Sequence, residues 1–163
     1  MTNNEILRRI RYTFDFNDGK MVELFGLADH QVTREQITSW LKKDDDTGYQ
    51  RCNDTEMAIF LNGVINDKRG KKKGPQPEPE QNLNNNIIFR KLKIALDLKA
   101  EDILELMAQV DLKISKHELS AFFRRPGHKH YRECKDQILR NFLNAVQLKY
   151  HPNTDLKTEF KWK

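Results

Sequence analysis

Cysteine is scarce in this chain, and so are the residues that interrupt regular structure. Two cysteines among 163 residues exclude a small secreted scaffold framed by disulfides. Beside a start without a leader they read as reduced thiols of a cytoplasmic protein. Seven glycines and five prolines leave most of the chain free to be regular. No apolar run approaches the ~18 residues of a membrane-crossing helix. The start, MTNNEILRRIRYTF, lacks the apolar segment of a secretory signal. Its arginines do not mark a transit peptide either, because RRIR returns inside the chain as RKLK at Arg90 to Lys93. Sustained apolar alternation is missing, so no substantial sheet is expected. So are the Gly-rich phosphate loop, H-E-x-x-H and G-x-S-x-G. The expectation is a protein without cofactor or metal, and not an enzyme.

What is present is a core-sized store of apolar residues, 37%, with 33% charged residues around it. The formal charge of +5 favours contact with nucleic acid or another polyanion.

The chain repeats itself. Shifted by 82, residues 3–70 fall on 85–152 without a gap, and 15 of the 68 pairs are identical. Among them are Asn3/Asn85, Asn4/Asn86, Asp15/Asp97, Asp29/Asp111, Cys52/Cys134 and Asp54/Asp136. Other pairs keep their type, such as Ile10/Leu92, Ile37/Leu119 and Trp40/Phe122. Matched apolar positions throughout point to internal duplication. Each copy reads as four short helices. Ile6, Leu7, Ile10 and Phe14 share a face of the first, as do Ile88, Phe89, Leu92 and Leu96 in the copy. Thr33 with Gln36, and Ser115 with Glu118, are capping boxes opening the third. Asp54 and Asp136 are expected to cap the fourth.

The expected fold is all-α: two tandem four-helix repeats, packed about a pseudo-twofold axis. Residues 1–70 form the first repeat, 71–84 a Lys/Pro-rich linker, 85–152 the second repeat and 153–163 a tail. One such copy alone would bury only about 60% of its chain surface, too little for comfort, so the copies should pack on each other. Pro152 should end the last helix. The tail, with Phe160 and Trp162, reads as loose or weakly docked.

Tyr49-x-x-Cys52-x-Asp54 recurs as Tyr131-x-x-Cys134-x-Asp136. The preferred reading is structural, with the Cys filling a small apolar hole. A zinc site from His128, His130 and Cys134 has suitable ligand types. However, the first copy keeps Cys52 and has Asp46 and Gly48 in place of the histidines. Reactive thiols would need a neighbour that lowers their pKa, and Cys52 has no histidine within twenty residues. Asp44-x-Asp46-x-Gly48 lacks the remaining ligands of a calcium loop.

The copies differ most after the third helix. KKDDDTGYQR, at Lys42 to Arg51, becomes RRPGHKHYRE at Arg124 to Glu133. Residues 1–70 carry 10 basic and 12 acidic groups, and residues 85–152 carry 13 and 8. The candidate anion or nucleic-acid site is therefore Phe123, Arg124, Arg125, His128, Lys129, His130 and Arg132. There cations would meet phosphates and aromatics would stack on bases. Lys68, Arg69 and Lys71 to Lys73 could add a second basic contact. A competing arrangement sets Asp44 to Asp46 against Arg124, Arg125 and Lys129 inside the protein. GLADHQVTREQITSWLKK resembles a helix-turn-helix, but the stretch before Thr33 is too long for its usual turn.

NNEILRRIRY, QITSWLKKDDDTGYQRC and FLNGVINDKRGK in the first copy resemble a known family, as do NNNIIFRKLKIAL, ISKHELSAFFRRPGHKHYREC and LRNFLNAV in the second. It is the YehS-like family of uncharacterised bacterial proteins. The resemblance covers residues 1–152 and implies a small bacterial cytosolic protein with the domain present twice. It carries no catalytic residues over. The functional expectation is a non-enzymatic binding protein whose basic second repeat contacts DNA or RNA. The alternative is a protein-interaction or scaffolding module using the acidic first-repeat loop or the aromatic tail.

Overall fold

The computed structural model describes residues 1–151. They form eight α-helices, and no strand occurs among the described residues. The helices are α1 (Asn3–Phe14), α2 (Asp18–Leu27), α3 (Arg34–Leu41), α4 (Asp54–Arg69), α5 (Asn85–Ala95), α6 (Ala100–Ala108), α7 (Lys116–Phe122) and α8 (Asp136–Tyr150). Every helix of the first half starts 82 residues before its counterpart: Asn3 and Asn85, Asp18 and Ala100, Arg34 and Lys116, Asp54 and Asp136. The fold is all-α and doubled. Pro152 and the tail bearing Phe160 and Trp162 lie outside the described residues.

The duplicated identities have local causes. Asp15, Asp29, Asp97 and Asp111 all take φ between 53° and 60° just after a helix. Aspartate tolerates this left-handed conformation better than most side chains. The capping boxes at Thr33 and Ser115 are formed. The fourth helices are capped differently from the expectation. The α4 cap is Asn53, boxed with Glu56, and the equivalent Lys135 supplies no side-chain cap. Asp54 and Asp136 instead accept from Asn3 and Asn85, each at 2.8 Å.

That contact belongs to a clamp which explains the repeated cysteine. Asn4 is 1% exposed. Its Nδ2 donates to the Trp40 and Gln50 carbonyls, both at 2.9 Å, and its Oδ1 accepts from Cys52 N–H at 3.0 Å. Asn86 repeats this with Phe122, Arg132 and Cys134. Asn3 and Asn85 donate to the Cys52 and Cys134 carbonyls. The long loop before each fourth helix is thus stapled to the start of each first helix. Only Cys52 and Cys134 of these loops are buried, and there the backbone N–H and carbonyl are both satisfied by the asparagines.

A single apolar core runs through both repeats. Phe25 packs on Trp40 and Phe60 in the first, Phe89 on Phe122 and Phe142 in the second. The repeats meet through two helix pairs, α4 with α5 and α1 with α8. The 82-residue shift exchanges these pairs, since α1 maps onto α5 and α4 onto α8. Two contacts that swap under the internal repeat are what a pseudo-twofold axis produces. A duplicated hydrogen bond crosses each: Arg9 donates to Asn144, and Lys91 donates to Asn62 at 2.7 Å.

The linker is tied down along its length. Gln76 accepts from Asn66, Leu83 N–H donates to Asp54, and Glu80 pairs with Lys91 at 3.1 Å.

Candidate anion-binding cleft between the repeats

The two inter-repeat contacts are related by the fold but not by chemistry. On α4 the interface carries Ala58, Ile59 and Ile65, which pack into the core. On α8 the equivalent positions are Arg140, Asn141 and Gln147. Apolar helices close on each other, whereas long polar side chains hold them apart. The α4–α5 side packs more closely, and Lys91 there pairs with Glu80 at 3.1 Å. The α1–α8 side opens into a cleft of about 840 Å³, within the range of ligand-sized cavities.

Two helical stripes line this cleft. Glu5, Arg8, Arg9 and Tyr12 recur every three to four residues on α1, and Arg140, Asn141, Asn144 and Gln147 do so on α8. Lys43 reaches in from the loop after α3. Four cationic side chains therefore share the space with one carboxylate, Glu5. The Met1 amine at the edge is paired with Asp136 at 3.0 Å.

The cations are placed against electrostatic preference. Burial, and then the nearby Arg140 charge, push the Arg9 guanidinium down to about 10, while Glu5 opposes the shift. Both burial and the like charge of Arg140 disfavour the charged form of that guanidinium, and the carboxylate of Glu5 favours it. Arg8 donates to the Lys42 carbonyl at 3.0 Å. Among the described residues Arg140 and Lys43 form no ion pair. Tyr12 also lines the cleft and is 55% exposed, with His151 against its ring at a centroid distance of 4.2 Å.

The loop singled out from the sequence is laid out less favourably. Arg125, His128, Lys129, His130 and Arg132 are exposed. Lys129, His130 and Arg132 line a small recess of about 270 Å³ together with Glu118. Arg124 is half-buried and, like Arg125, does not line that recess. Phe123 is turned inward: it packs edge-on against Phe89 at 5.0 Å, with Lys93 over its ring. It is a margin of the core and not a platform for a base. His128 Nδ1 accepts from His130 N–H at 3.0 Å, shaping the turn. No ion pair joins Asp44, Asp45 or Asp46 to Arg124, Arg125 or Lys129 among the described residues. Asp46 pairs instead with Lys42 at 3.8 Å. Of the other basic cluster, Arg69 pairs with Asp97, Lys71 with Asp29, and Lys68 lies over Phe14.

Cys52 and Cys134 are buried, and burial, reinforced by neighbouring carboxylates, pushes each thiol up to about 12. Such thiols stay protonated and do not act as nucleophiles. His128 and His130 stack near each other in solvent while Cys134 is 1% exposed. Among the described residues no group of three His, Cys, Asp or Glu side chains is arranged to hold a metal ion. None of their helices is long and apolar enough to cross a membrane.

Arg8, Arg9, Lys43 and Arg140 did not stand out in the sequence. A signal was there: three apolar or small positions on α4 become Arg, Asn and Gln on α8. It has meaning only once the helix facing α8 is known to be α1.

The architecture defines a class: an all-helical protein made of two copies of one four-helix unit, with a cationic groove where the copies meet. The chain belongs to the protein family of unknown function DUF1456, whose family model matches residues 3–70 and 85–151. It is 43% identical over 152 residues to the uncharacterized protein YehS of Escherichia coli (strain K12), covering 93% of this chain and 97% of that protein. No solved structure matches it.

Proposed function

We propose that this protein binds nucleic acid without acting on it chemically, and that the phosphate backbone enters the α1–α8 cleft. The observation that carries this reading is the concave meeting of Arg8, Arg9, Lys43 and Arg140 with a single carboxylate. Charge on an open surface is usually just solvated, whereas like charges gathered in a groove draw an anion. The exposed loop cations Arg125, Lys129 and Arg132 are placed to add outlying phosphate contacts. The protein-interaction alternative has a smaller recess, about 230 Å³, where Asp44, Asp45 and Tyr49 of the acidic loop meet Arg8 and Lys43.

The test is titration of a labelled oligonucleotide across a range of salt. Each phosphate contact contributes a slope of about −0.7 for a single strand or about −0.9 for a duplex. Arg140→Gln is expected to weaken binding and lower the slope by about one contact. Arg124→Ala combined with Arg125→Ala should do much less. Affinity that does not vary with salt, or absence of binding to any DNA or RNA, would remove the proposal. Sensitivity to the Arg124/Arg125 pair alone would return the site to the loop.

A further inference from the structure

We infer that the cleft recognises an unpaired stretch of nucleic acid, with one base stacked on Tyr12 and the adjoining phosphate held by Arg9 and Arg140. This rests on the reading of the cleft as a nucleic-acid site and specifies the form of strand it takes.

Three observations carry it. First, Tyr12 is the most exposed large apolar side chain among the described residues, at 55%. The structure supports its ring rather than leaving it free, because the His151 ring lies against it at 4.2 Å, tilted by 30°. That contact joins α1 to the end of α8 and braces a ring that lines the cleft. Second, Tyr12 shares one helical stripe with Arg8 and Arg9, one turn further along. A base on the ring therefore brings its own backbone toward the guanidinium groups. Third, the α8 wall beside them carries Asn141 and Asn144. Their Oδ1 atoms accept from Gln137 and Arg9, and their amide N–H groups remain to donate to the acceptor edge of an unpaired base.

A duplex meets none of these conditions. Its bases are stacked inside, out of reach of an aromatic ring fixed to a helix. A cavity of about 840 Å³ has the size of a small ligand and cannot admit a double helix. The pseudo-equivalent of Tyr12 is Ile94, also exposed, at 46%. It belongs to α5, whose partner in the other repeat is α4, and it offers no ring, so the two inter-repeat contacts are unequal.

The experiment compares fluorescence anisotropy of oligo(dT) and oligo(U) of about a dozen nucleotides, a usual site size, with a blunt duplex of equal length. The full chain is used, with AMP and UMP as competitors. Either single strand is expected to bind at least tenfold tighter than duplex. Tyr12→Ala should weaken single-strand binding about fivefold to a hundredfold, the usual loss for one stacked base. Tyr12→Phe should keep the affinity within about threefold. Because Tyr12 is exposed, both variants should melt like the parent, which separates a binding defect from a folding one. Equal affinity for duplex, or an unchanged Tyr12→Ala, overturns the inference while leaving the cleft reading intact. Competition by AMP or UMP at concentrations matching the strand's own affinity also overturns it, in favour of a free nucleotide. Indifference to both Tyr12→Ala and Arg140→Gln overturns the inference and the cleft reading together.

Discussion

Replacing Gly63 by alanine should destabilise this protein, although the helix itself would prefer the change. Gly63 lies inside α4 and is buried. Alanine is favoured over glycine in a helix interior by about 1 kcal/mol. A Cβ placed there, however, would sit 1.9 Å from the Leu24 carbonyl oxygen on α2, where real contacts stay beyond 3.0 Å. The obstacle is backbone, so α2 and α4 must separate by about 1 Å, which opens the packing of Leu24, Phe25 and Phe60. Overpacking on this scale costs about 3 kcal/mol, the upper end of the usual range. After the propensity gain, the net loss is about 2 kcal/mol, or about 4–8 °C in Tm for a chain of this size. Gly26→Ala is the internal control. Gly26 is in α2, exposed, with nothing within 4 Å of a new Cβ, and should gain about 1 kcal/mol. Both glycines face alanine in the second repeat, as Ala108 and Ala145. A sequence comparison therefore treats the two substitutions alike. Urea and thermal melts of both variants decide it: a Gly63→Ala protein as stable as its parent would refute the close approach of α2 and α4.

Asn86→Ala should cost about 2–4 kcal/mol, because it leaves the Phe122 and Arg132 carbonyls and the Cys134 N–H without their partner; a loss below about 1 kcal/mol in urea would mean that the clamp is ornamental. Both thiols should resist a thiol-specific reagent at pH 8 and react only as the chain unfolds, so rapid labelling of the native protein would contradict their burial. Since each folded thiol is pushed up to about 12 from an ordinary value of 9.0, their contribution to stability should be complete below about pH 9. It should decline as the pH rises toward 12, because the unfolded chain then loses protons that the native one retains.

The sequence was legible where the physics is local or duplicated. Helical spacing, the capping boxes at Thr33 and Ser115 and the 82-residue shift follow from side-chain periodicity and short-range hydrogen bonding, which need no knowledge of the partner helix. The fourth helices start one residue earlier than the local pattern implies, because Asp54 and Asp136, though of capping type, are engaged by Asn3 and Asn85 from far along the chain. The basic loop is conspicuous because its cations lie within nine residues of one another. The cleft is not, because Arg8, Arg9, Lys43 and Arg140 are scattered over some 130 residues of chain.

By itself the sequence determined eight amphipathic helices in two equivalent sets, because apolar periodicity and internal repetition are properties of the chain alone. Only the tertiary structure decided that α1 faces α8 and α5 faces α4, and hence which cations share a space. It also decided that Lys91 meets Glu80, while Arg9 meets Asn144 and lies near both Glu5 and Arg140. The physical reason is that a charge's environment depends on what lies across from it, and the pseudo-twofold axis sets that across distances the linear pattern does not encode.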